Sequence, residues 1–166
     1  KLEKNSGAAI ARNKGIKESK GRFLCFLDAD DFWDKNKIEK QINFMIKTDC
    51  AFSFTAYEFV DESGKPNNKI VKIPETINYK QALRNTIIST ITVMLDMTRF
   101  KKKDIYMPDI RRGQDAATWW NILKIVDKAY GLNEALSYYR RSQNTLSANK
   151  FKAIKRTWHL YREVEK

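Results

Sequence analysis

The 166-residue sequence is poor in the residues that build redox and zinc centres, with two Cys and one His. Two cysteines, Cys25 and Cys50, cannot form a disulfide framework or a Cys-rich zinc site. A lone histidine, His159, excludes His-rich metal sites and any constellation that needs two imidazoles. With 6 Gly and 3 Pro, the chain is neither collagen-like nor linker-rich. Long hydrophobic runs are lacking too. The most apolar stretch, near residues 87–95, is too short and too polar to span a bilayer. No leader pattern and no initiator Met precede the opening Lys1-Leu2-Glu3-Lys4. With Cys25 set in an apolar run, a reducing cytoplasm is the expected compartment.

What is present is the composition of a folded domain. Apolar residues make up 42% and charged residues 31%, which argues against disorder. At this length one core forms without staples. Lys and Arg number 32 against 20 Asp and Glu, a net charge of +12. That balance favours anionic partners: nucleic acid, nucleotides, phosphorylated carriers or an acidic membrane face. It does not choose among them, and a solvated basic surface is the plainest account.

The pattern contains no repeat and alternates helix with strand, which argues for an α/β layer architecture. A helix is expected from a Ser6 cap to about residue 20, ended by Gly21. Residues 22–27 (RFLCFL) form a near-continuous apolar run, expected as a strand covered on both faces. Asp34 is suited to cap a helix over 35–48, with Ile38, Ile42 and Met45 on its buried stripe. A strand at 51–60, a turn at 61–65 and a short strand at 69–73 follow, the last ended by Pro74. Residues 78–86 read as helix, 91–95 as strand, 115–127 as helix and 135–140 as strand. A helix at about 149–165 carries Phe151, Ile154, Trp158 and Tyr161 on one stripe.

The sharpest chemical feature is Asp28-Ala29-Asp30-Asp31, directly after the apolar strand. In open α/β sheets the carboxyl ends of strands form the ligand crevice. Carboxylates this close repel one another unless a cation or ligand neutralises them. They suit a hard ion such as Mg²⁺ or Mn²⁺, which keeps waters and accepts phosphate oxygens. The alternative is a solvated acidic loop with Asp30 or Asp31 capping the next turn. Upstream, the helix of small residues carries Arg12, suited to a phosphate or a carboxylate. A plain amphipathic helix accounts for it as well. Asp115 is an acid at a helix start, which the helix dipole favours. Arg140-Arg141-Ser142 and Asn144-Thr145-Leu146-Ser147 form a basic, hydroxyl-rich loop that could close over a diphosphate or remain a surface loop. Lys101-Lys102-Lys103 reads as a solvated turn, and Cys25 and Cys50 as core or near-core residues.

Residues 6–33, SGAAIARNKGIKESKGRFLCFLDADDFW, resemble the central signature of family 2 glycosyltransferases. The helix with its Arg-Asn, the Ser-Lys-Gly turn and the strand ending in Asp-x-Asp-Asp appear in order. The likeness extends through 51–60, Thr92-Val93-Met94, 113–123, 138–147 and the helix beyond. It is strongest to bacterial enzymes of capsule, lipopolysaccharide and teichuronic-acid-type synthesis. The resemblance implies an α/β fold of the GT-A type: a Rossmann-like mixed sheet flanked by helices, as in nucleotide-diphospho-sugar transferases. It implies that residues 1–166 are a single catalytic domain lacking its N-terminal part, so that the sheet exposes an unpaired edge.

The resemblance also implies inverting, metal-dependent transfer. Asp30 inherits the role of metal ligand, with Mn²⁺ or Mg²⁺ as cofactor. Asp28 inherits contact with the nucleotide ribose or the metal's waters, and Asp31 that of a helper. Arg12 lies near the donor diphosphate in this account. Asp115 inherits the role of catalytic base, consistent with an inverting transfer's need to deprotonate the acceptor hydroxyl. Gln114 departs from the commoner Glu of the family. The implied partners are a nucleotide-sugar donor and a glycan or lipid-linked acceptor. Family frequency alone favours a UDP-sugar. The aromatic, basic C-terminal helix adds a peripheral contact with the inner face of the plasma membrane as an expectation. No specific nucleic acid is expected. Two alternatives remain: a non-catalytic basic module for nucleic acid or anionic polymer, and an inactive transferase fragment.

Overall fold

The computed structural model describes residues 5–85, 87–110 and 112–140. The chain order is α1 (Ala8–Glu18), β1 (Phe23–Cys25), β2 (Phe32–Trp33), α2 (Lys37–Thr48), β3 (Phe52–Val60), β4 (Pro66–Val71), β5 (Thr76–Asn78) and α3 (Tyr79–Arg84). It continues through a 3₁₀ turn (Thr90–Thr92), β6 (Met94–Asp96), a second 3₁₀ turn (Lys102–Ile105), α4 (Gln114–Ile125) and β7 (Lys128–Arg140).

The strands form one sheet in the order β1-β6-β3-β7-β2, with β4 also pairing β3 and β5 also pairing β7. β3 and β7 run parallel, from Ser53 opposite Tyr130 to Val60 opposite Arg140. The other pairings are antiparallel, so the sheet is mixed. β3 sits at its centre and is buried on both faces over its first half, with Phe52, Phe54 and Ala56 on one and Ser53 and Thr55 on the other. α4 packs Trp119, Trp120, Ile122 and Leu123 into the same core. The Trp120 indole finds its partner in the Ala82 carbonyl at 3.1 Å, which ties α4 to α3. α3 starts with a capping box between Asn78 and Gln81.

Several elements differ from the sequence expectation for physical reasons. The run at 22–27 is strand only over Phe23–Cys25, and these residues are half-buried. β1 is the end strand of the sheet, with β6 as its neighbour among the described residues, so it is not covered like a central strand. Leu27 is 49% exposed. The inward face of α2 is Lys37, Gln41 and Met45, whereas Ile38 is 39% exposed. Asp34 does not cap α2 directly; its side chain accepts from the Asn36 amide, one residue ahead of the helix.

Of the strand expected at 91–95, Ile91 and Thr92 belong instead to a 3₁₀ turn over Thr90–Thr92, because Ser89 O accepts both the amide and the hydroxyl of Thr92. β7 begins seven residues before the expected 135, at Lys128. Gly131, a turn signal in sequence, is needed there for close approach. A Cβ at that position would lie 2.1 Å from the Pro74 carbonyl oxygen. Lys102 is not merely solvated: its ammonium donates to the carbonyls of Lys17 and Ser19, closing the C-terminal end of α1. Cys25 is half-buried, Cys50 is buried, and both are free thiols. The loop at 141–147, the helix at 149–165 and His159 lie outside the described residues.

Candidate active site

The acidic turn lies beyond the carboxyl end of β1, between it and β2. The Asp31 amide donates to the Asp28 carbonyl at 3.1 Å and closes the turn. β2 then pairs with the end of β7, Phe32 opposite Tyr138, with the two rings stacked at 4.8 Å. The three carboxylates meet different environments. Asp28 is held by the Arg12 guanidinium at 2.5 Å. Asp31 accepts the Arg140 amide at 2.8 Å. Burial pushes the Asp31 carboxyl up from 3.8 to about 6; the Arg140 amide opposes that shift, and the nearby Asp30 and Asp28 charges add to it. Asp30 is exposed and has no hydrogen bond or ion pair among the described residues.

Among the described residues no group of three or more His, Cys, Asp or Glu side chains is arranged to hold a metal ion by itself. A single exposed oxygen ligand instead suits Mg²⁺ or Mn²⁺ shared with a substrate diphosphate, since such ions are commonly bound by one or two carboxylates and phosphate oxygens. The donor set therefore fits an ion held jointly with substrate.

Asp115 stands in the first turn of α4, after Gly113 in the left-handed region at φ 78°. It is half-buried. One carboxylate oxygen accepts the Ala116 amide at 2.8 Å and the other accepts the Thr90 hydroxyl at 3.1 Å. The neighbouring Gln114 has its amide oxygen buried with no hydrogen-bond partner among the described residues. The segment leading to α4 is tied back to α1. Asn13 brackets Met107, donating to its carbonyl at 2.8 Å and accepting its amide at 2.7 Å.

The structure thus brings Arg12 and Asp28 into contact and leaves Asp30 open. Asp115 does not touch the acidic turn directly. Two connections link them. Phe26, two residues before Asp28, packs edge-on against Trp119, one helical turn after Asp115. Trp33, two residues after Asp31, donates its indole N–H to Ile91 O at 2.8 Å, next to Thr90. Sequence reasoning did not single out Thr90 or Trp33. A Thr in a β-branched run reads as strand, and a Trp after an acidic turn reads as core. The connection of Asp31 to the β7 backbone carries no sequence signal either.

The mixed sheet flanked by helices is of the GT-A class, the fold of nucleotide-diphospho-sugar transferases. The family model described as glycosyl transferase family 2 matches residues 1–107. The chain belongs to that family. It is 50% identical over 165 residues to TuaG of Bacillus subtilis (strain 168), named as a teichuronic acid biosynthesis glycosyltransferase, covering 99% of this chain and 65% of that protein. It is 39% identical to WfgD of Escherichia coli, named as a UDP-Glc:α-D-GlcNAc-diphosphoundecaprenol β-1,3-glucosyltransferase, covering 92% of this chain and 58% of that one. The crystal structure of S. aureus TarS 1–349 in complex with UDP-GlcNAc matches with a TM-score of 0.73 at 16% identity, over 98% of this chain and 47% of that chain. The chain therefore spans about two thirds or less of the length of these relatives. The family match favours a transferase over a basic nucleic-acid module.

Proposed function

We propose that this chain is the part of a glycosyltransferase that grips the donor diphosphate and supplies the base. The reaction transfers a sugar from a UDP-sugar to a hydroxyl of a glycan or lipid-linked acceptor in cell-surface polysaccharide synthesis. The observation that carries this is a pair of carboxylates with complementary states. Asp30 is exposed and uncommitted at the strand end, while Asp115 is held by two donors at a helix start. The relatives' names supply the donor and acceptor classes.

The chemistry follows from those positions. Asp115 takes the proton from the acceptor hydroxyl as its oxygen attacks the anomeric carbon. The new C–O bond forms on the face opposite the diphosphate. The bond from carbon to the diphosphate oxygen breaks, and UDP leaves with the electron pair, so the configuration inverts. Asp30 would hold Mg²⁺ or Mn²⁺, which when bound supplies Lewis-acid stabilisation of the leaving diphosphate. Arg12 holds Asp28 in place beside the turn. No helix among the described residues is long and apolar enough to cross a membrane. A peripheral position at the inner face of the plasma membrane suits the +12 charge and a lipid-linked acceptor.

Calorimetric titration with UDP tests the donor site. Binding is expected with Mn²⁺ and is expected to weaken strongly without it or in Asp30→Ala. Equal UDP affinity in Asp30→Ala and the unsubstituted chain, with Mn²⁺ present, would remove Asp30 from the site.

A further inference from the structure

The turn Thr90–Thr92 is buried, and three side chains from three different elements hold its carbonyls. Ile91 O accepts from the Trp33 indole at 2.8 Å and the Ser137 hydroxyl at 3.1 Å. Thr92 O accepts from the Gln41 amide at 2.9 Å. Gln41 is itself fixed, since its amide nitrogen also donates to Ser53 Oγ at 3.0 Å and its oxygen accepts from Lys37 Nζ at 2.7 Å. Lys37, Gln41, Ser53, Thr92 and Ser137 are each 0% exposed.

Buried carbonyls outside a ladder must find donors, so part of this network answers a structural need. Its composition goes further. The Trp33 indole, the Ser137 hydroxyl and the Gln41 amide, from β2, β7 and α2, converge on three residues, and buried Lys37 and Ser53 fix Gln41 in turn. Buried polar groups are costly unless fully satisfied, and when satisfied they fix one geometry. The geometry fixed here is that of the Thr90 hydroxyl, which donates to Asp115 Oδ2 at 3.1 Å. The Ala116 amide holds the other oxygen. Together the two donors set the rotation of the carboxylate plane and determine which lone pair is left for an acceptor hydroxyl.

We propose that Thr90 is a positioning residue for the base. Its hydroxyl orients the Asp115 carboxylate, and the Trp33, Ser137 and Gln41 side chains hold the Thr90–Thr92 turn in register with the acidic turn. The inference rests on the assignment of Asp115 as base. Thr90 touches no substrate in this account and acts through Asp115.

The test compares Thr90→Val, Thr90→Ala and Thr90→Ser in the full gene product. UDP release is measured from UDP-Glc or UDP-GlcNAc with GlcNAc-diphosphoundecaprenol as acceptor probe, beside Mn²⁺-dependent UDP binding. Loss of the hydroxyl is expected to lower kcat by about 10- to 100-fold, the scale of a misoriented catalytic group. KM for the donor and UDP affinity are expected to stay within about twofold, because Thr90 touches no donor atom in this account and an interaction used only in the transition state moves kcat. Thr90→Ser is expected to restore most of kcat. The alanine variant deletes the hydroxyl without the shape of valine, so a folding defect confined to Thr90→Val does not decide the outcome. An unchanged kcat in Thr90→Ala, or equal losses in Thr90→Ser and Thr90→Ala, overturns the proposal. So does a loss of kcat matched by loss of UDP binding, which marks a purely structural role. Full turnover in Asp115→Asn would instead defeat the base assignment itself, whatever Thr90 does.

Discussion

Asp30 and Asp31 are adjacent in sequence and opposite in situation. Asp31 turns inward to the Arg140 amide, and its carboxyl is pushed up to about 6 by burial. Asp30 faces solvent with no bond among the described residues. One residue is suited to brace the turn and the other to meet a cation, although both are acids in one short motif. Asp115 shows the same dependence on surroundings. Alone it is an acid favoured at a helix start; with Thr90 and Ala116 bonded to its two oxygens it is an oriented carboxylate. Asp115→Asn keeps the size and shape of the side chain and removes its basicity. Transfer is expected to fall by about 100-fold or more, the usual worth of a general base. Mn²⁺-dependent UDP binding is expected to persist. Steady-state turnover and calorimetry on the same variant check both halves.

At the scale of elements, α2 is the clearest case of tertiary structure overriding pattern. Of the expected stripe Ile38, Ile42 and Met45, Met45 is buried and Ile42 packs against it, but Ile38 is exposed; Lys37 and Gln41 face inward instead, Gln41 donating to the Thr92 carbonyl and Lys37 to Gln41. Lys37 Nζ lies 4.4 Å from the centre of the Trp33 ring and donates to Gln41, with no carboxylate partner among the described residues. Burial pushes its ammonium down from 10.5 to about 8. The sign follows from linkage. Between about pH 8 and 10.5 the unfolded chain holds a proton that folded Lys37 has released, so folding stability rises with pH across that window. The difference in stability between the natural chain and Lys37→Met is expected to shift over that range by about 3 kcal/mol in favour of the natural chain. Urea unfolding at both ends of the window checks this. A difference that does not change with pH would mean that Lys37 titrates normally.

For the whole molecule, the +12 charge is the dominant property that no single site absorbs. The pairs Arg12 with Asp28 and Arg22 with Asp96 cancel within themselves, while Lys102, bonded to backbone carbonyls at the end of α1, is one excess cation that serves the fold. The remainder is a basic surface, which the proposed lipid-linked acceptor would bring close to anionic lipid. Co-sedimentation with phosphatidylglycerol vesicles is expected, with little binding to neutral phosphatidylcholine and release as salt screens the charges. Equal binding to neutral vesicles would point to apolar insertion and away from charge.

The sequence by itself determined an α/β layer pattern and the acidic turn, through local features: periodicity and a strand running into Asp28–Asp31. The GT-A class and Asp115 as candidate base came from the resemblance of residues 6–33 and 113–123 to family 2 glycosyltransferases, since an acid at a helix start is by itself unremarkable. Arg12 could be read as an anion-seeking residue from its side chain alone. Only the tertiary structure decided which of the three carboxylates is free, because that depends on Arg12 sixteen positions from Asp28 and on Arg140 at the far end of β7. It also decided that Ile91 and Thr92 belong to a turn and not a strand, and that Thr90 meets Asp115. Such pairings join residues far apart in the chain. They are set by how α2, β2, β7 and α4 pack together, and no local pattern encodes that packing.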